Sequence, residues 1–76
     1  MTIKEANFPF DKGIIRLIQK KGLKQKYVAD EAGYTTQEFS DMMNGRKIIK
    51  LCDIPRIATV LGVKADDIYE AGKEGE

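Results

Sequence analysis

Thr36, Gln37, Ser40, Asp41 and Asn44 recur at a spacing that places them along one side of a single helix. Together they offer hydroxyls, carboxamides and a carboxylate, a set of donors and acceptors suited to recognising a partner by its hydrogen-bond pattern. The rest of the chain holds no competing catalytic constellation. It has no histidine, no nucleophile paired with a base and no glycine loop fit to cradle a phosphate, so an enzyme is not expected. Cys52 is the one cysteine, which excludes an intrachain disulfide and, without histidine, the usual zinc ligand sets. We read it as a small, semi-buried apolar residue and expect no metal or small-molecule cofactor.

The elements that position these residues read as wholly helical. Ile14, Ile15, Leu17 and Ile18 form the stripe of a first helix over about Asp11–Lys21, closed by two lysines and Gly22. A second follows over Gln25–Ala32, carrying Val28, Ala29 and Ala32, and Gly33 supplies the left-handed residue of a sharp turn. Thr35 and Glu38 stand three apart, the spacing of a capping box, and open a third helix over Thr36–Asn44 that ends at Asn44-Gly45. Phe39 and Met42 point from it into the core. A fourth begins near Cys52 or Asp53, because Pro55 is tolerated only in a first turn, and ends at Gly62. A short fifth over Ala65–Tyr69 seats Ile68. Residues 1–10 read as an N-terminal arm, residues 11–70 as one compact domain, and residues 71–76 as a flexible tail.

Charge is polarised along the chain although the net value is only +1. Lys12, Arg16, Lys20, Lys21, Lys24 and Lys26 stand against Asp11 between Asp11 and Tyr27, and Arg46, Lys47 and Lys50 add a second basic cluster. From Asp66 onward the acids dominate. A basic zone of this kind can face a polyanion while the chain stays near neutrality. No stretch approaches the roughly 20 apolar residues of a membrane span, and a cytoplasmic protein is expected.

Two short helices joined by a tight turn, with small residues at their approach and a polar outer face on the second, describe a helix-turn-helix unit. Residues 14–69 resemble the DNA-binding domain of phage Cro/cI-type repressors and Xre-type bacterial regulators. The likeness rests on Gly22-Leu23-Lys24-Gln25, Ala29, Gly33-Tyr34-Thr35, Asn44-Gly45-Arg46-Lys47 and Ala58-Thr59-Val60-Leu61-Gly62-Val63 with Ile68. It implies an all-α, five-helix, lambda-repressor-like fold whose third helix enters the major groove of a double-stranded DNA operator. In that setting Thr36, Gln37, Ser40 and Asp41 become base readers. Gln37 would pair with adenine, Thr36 would touch a thymine methyl or a phosphate, and Asp41 would accept from a cytosine amino group. Lys24, Gln25, Asn44, Arg46 and Lys47 become phosphate contacts, which position the protein.

The resemblance also carries a departure. Many relatives tie the first helix to the end of the third with a buried arginine–glutamate pair, and the matching positions here are Ile18 and Met43. Losing both charges together is often neutral or stabilising, whereas losing one would strand the other, so these two side chains are expected to pack together. A domain this small reads only a few base pairs, and a homodimer on a two-fold symmetric operator is expected, through Tyr69 and the last helix or through Phe8-Pro9-Phe10. Glu38 and Asp41 motivate an alternative, a protein-interaction module of the same fold, antitoxin-like or antirepressor-like.

Overall fold

A computed structural model describes residues 1–74. Its six helices are α1 (Ile3–Asn7), α2 (Phe10–Lys20), α3 (Gln25–Ala32), α4 (Thr36–Met43), α5 (Asp53–Leu61) and α6 (Ala65–Lys73), with no strand among the described residues. No helix among them is long and apolar enough to cross a membrane.

Local chemistry accounts for the central elements. Gly33 ends α3 with φ +88°, and Gly62 ends α5 with φ +71°, in the left-handed region where a β-carbon is costly. Thr35 caps α4 as its spacing predicts: the Thr35 hydroxyl accepts from the Glu38 amide at 3.0 Å, and the Glu38 carboxylate accepts from the Thr35 amide at 3.1 Å. Pro55 sits in the first turn of α5, where its missing N–H costs nothing.

These helices enclose one core. Ile14, Val28, Ala29, Phe39, Met42, Ile57 and Ile68 are wholly shielded from solvent. Ile18 and Met43 are both buried in the same cluster, where α2 meets α4, so the space of the relatives' ion pair is filled by apolar side chains. The Tyr34 hydroxyl closes the turn between α3 and α4 by donating to Asp53 at the start of α5, at 2.5 Å. Burial and this bond to a carboxylate hold the phenol's pKa well above its ordinary value.

The two chain ends differ from the sequence reading. Residues 1–10 were expected as an arm, yet Ile3–Asn7 form a helix, opened by a Thr2–Glu5 capping box, and the count rises from five to six. The last helix does not stop at Tyr69 but continues to Lys73, so the expected tail holds buried Ala71 and Gly72. Gly75 and Glu76 of that tail lie outside the described residues. Both ends are held by close backbone approach. A β-carbon on Gly13 would lie 1.9 Å from the Ile68 carbonyl oxygen, and one on Gly72 would lie 1.9 Å from that of Pro9. No side chain fits at either crossing, and α6 packs along α2 as a result. Arg16 completes the seam by donating to the carbonyls of Ala71 and Gly72 at 2.8 and 3.1 Å, satisfying groups that a helix C-terminus leaves open.

That seam also revises the charge reading. Arg16, Lys20 and Lys21 border a cleft whose other wall carries Asp67, Glu70 and Glu74. Much of the first basic zone therefore faces the protein's own acidic helix. Cys52 is exposed rather than semi-buried, since it precedes α5 on the open side of the loop.

Candidate nucleic-acid interface

Phe39, Met42 and Met43 are buried, and their spacing turns the opposite side of α4 outward. Thr36, Gln37 and Asn44 are exposed there, with Ser40 and Asp41 half-buried between them. The outward face is wholly polar, and α3 crosses behind it through the Gly33 turn.

The face is internally ordered. The Gln37 side-chain amide donates to Asp41 Oδ1 at 2.9 Å, and the Asn44 amide donates to the Ser40 hydroxyl at 3.1 Å. Both pairs are separated by four residues, so each links neighbouring turns of α4. The loop after α4 folds back on the same helix, with the amides of Arg46 and Lys47 donating to the Asp41 carbonyl at 2.8 and 3.1 Å. Its two cations meet the helix's two carboxylates, Arg46 with Asp41 at 3.4 Å and Lys47 with Glu38 at 3.2 Å. The Thr35 amide, then Lys47, keep the Glu38 carboxyl below its ordinary pKa.

Seven of the nine residues singled out by sequence thus form one contiguous surface: Thr36, Gln37, Ser40, Asp41, Asn44, Arg46 and Lys47. Lys24 and Gln25 stand apart from it in the chain, exposed at the start of α3. Lys24 makes no side-chain cap, and a cation there opposes the helix dipole, so its presence is not explained by the stability of α3.

Sequence reasoning missed Asn7. It is buried, its amide donates to the carbonyls of Met42 and Lys47 at 3.2 and 2.9 Å, and its carbonyl oxygen accepts from the Ile49 amide at 2.7 Å. One side chain thereby fixes both the end of α4 and the far side of the loop that follows it. Its partners are backbone groups 35 to 42 residues away, which no local pattern reveals.

A helix-turn-helix domain model matches residues 16–71, spanning α3, the Gly33 turn, α4 and the helices that support them. The chain belongs to the helix-turn-helix domain family. No curated protein matches it. The resemblance read from the residues is borne out at the level of this regulator family, and the helix-turn-helix unit is α3–Gly33–α4. Membership of this family suggests DNA binding.

Proposed function

We propose that this helix-turn-helix domain is a sequence-specific, double-stranded-DNA-binding transcriptional regulator of the repressor type found in phages and prophages, acting in the cytoplasm. The observation that carries this reading is the outward face of α4, where five polar side chains stand clear of the core beside a loop bearing Arg46 and Lys47. A major groove of ~12 Å admits one helix, and residues near its N-terminus reach base edges.

In this reading Thr36, Gln37, Ser40 and Asp41 read bases, and Lys24, Gln25, Asn44, Arg46 and Lys47 hold phosphates. The Gln37–Asp41 bond favours a definite pose. A carboxamide has two amino hydrogens, and giving one to Asp41 leaves the other, with Oε1, for the N7 and N6 groups of adenine. Asp41 then positions Gln37 through one oxygen and keeps the other for a cytosine amino group.

Dimerisation on a two-fold operator belongs to the same proposal. Phe10 meets Tyr69 edge-on at 5.8 Å, and the Lys73 ammonium lies 5.7 Å from the Phe8 ring and 6.0 Å from that of Tyr69. The two dimer surfaces considered from sequence are therefore neighbours on one patch.

The pairing of Arg46 with Asp41 and Lys47 with Glu38 favours a second reading, a protein-interaction module of antitoxin-like or antirepressor-like kind, because it neutralises the loop that should grip phosphate. Selection of bound duplexes from a random pool, followed by anisotropy titration against salt, separates the two. A regulator yields a two-fold symmetric motif, with affinity falling as salt rises. An interaction module yields no enriched duplex and no binding at low salt.

A further inference from the structure

The helix α1 lies beside the loop that the proposed function assigns to phosphate, and three observations join them. Asn7, at the end of α1, binds the backbone of Met42, Lys47 and Ile49 and so makes helix and loop one body. Gly45, between Asn44 and Arg46, is covered by Lys4. A β-carbon at Gly45 would lie 3.0 Å from Lys4 Cβ and 3.3 Å from both its Cα and Cγ. The stem of Lys4 thus starts over Gly45, next to Arg46. Finally, Arg46 and Lys47 each stand beside a carboxylate that offsets part of their charge, whereas Lys4 is exposed and has no such partner among the described residues.

We propose that α1 belongs to the DNA-holding surface, with Asn7 as the residue that positions the loop and Lys4 as an additional phosphate-binding cation beside Arg46 and Lys47. This rests on the reading of the domain as a DNA binder. A lysine's four-carbon stem gives the ammonium the reach to follow a strand that passes the loop. The cost of ordering α1 is already met in the free protein by its bonds to the loop, so the cation is offered without a folding step on binding.

The test is an anisotropy titration of the full chain against its selected duplex over about 50 to 200 mM salt, with Lys4→Ala, Lys4→Arg and Lys47→Ala alongside the parent. Loss of one phosphate contact lowers the slope of log K against log salt by about 0.9, equivalent to roughly fivefold weaker binding near 0.15 M salt. Lys4→Ala is expected to show that loss with an unchanged melting temperature, and Lys4→Arg to retain the parent slope. If Lys47→Ala lowers the slope while Lys4→Ala matches the parent, α1 does not touch DNA and this inference falls, although the DNA-binding reading stands. A parent chain that binds no duplex at low salt overturns both.

Discussion

The α3–α4 pair and the two chain ends are held in opposite ways. Between α3 and α4, the turn and the start of α4 are set by residues within a few positions, Gly33 at φ +88° and the Thr35–Glu38 box. The bonds from Arg46 and Lys47 back to Asp41 add a local tie at its end, where Asn7 is the one distant hydrogen-bond partner among the described residues. The ends are held by distant partners: Asn7 on the loop after α4, Arg16 on the carbonyls of α6, and Gly13 and Gly72 at crossings too close for a side chain. Local bonds make the recognition unit a module that one stretch of sequence specifies. Long-range bonds make the ends a frame whose position depends on the rest of the fold.

This difference decides what was legible in the sequence. Capping boxes, glycine stops and apolar stripes act over three or four residues, so α3 was bounded correctly and α4 to within a residue. The wholly polar outer face of α4 was legible for the same reason, since burying Phe39 and Met42 dictates which residues face out. The Thr2–Glu5 spacing offers the same local signal for α1, but nothing local marks Asn7 as the residue that holds the loop. Gly72 likewise reads as a helix breaker until the Pro9 carbonyl is found against it. Nor does any local pattern show that Arg16, Lys20 and Lys21 of the basic run face the acidic side of α6, which lies some fifty residues away in sequence.

Substitution at Asn7 should disturb the frame most strongly. Asn7→Ala leaves the Ile49 amide and the carbonyls of Met42 and Lys47 without their partner. Unpaired buried groups of this kind cost about 1–3 kcal/mol each, so a loss of roughly 3 kcal/mol is expected. For a domain of this size that lowers the melting temperature by more than ~10 °C. A loss below about 1 kcal/mol in urea denaturation would mean that the frame is not held there.

The capping box should give smaller effects. Thr35→Ala is expected to cost about 1 kcal/mol, the ordinary value of a lost cap, and a loss as large as that of Asn7→Ala would erase the distinction between the regions. Smallest of all is Glu38→Gln, with a characteristic pH dependence. Because the Glu38 pKa is lower in the folded than in the unfolded chain, its contribution is complete above the unfolded pKa. It is lost as pH falls through the folded pKa. The gap in melting temperature between parent and variant should therefore be present near about pH 7 and close toward about pH 3, and a constant gap would refute the assignment.

The central claim is that the outer face of α4 selects a DNA sequence while the loop beside it holds the duplex. Duplex selection from a random pool with the parent, Gln37→Ala and Lys47→Ala chains tests it most directly. Gln37→Ala is expected to lose preference at one position in each half-site, and Lys47→Ala to keep the motif while binding all duplexes more weakly. A Gln37→Ala chain that returns the parent motif unchanged would contradict it.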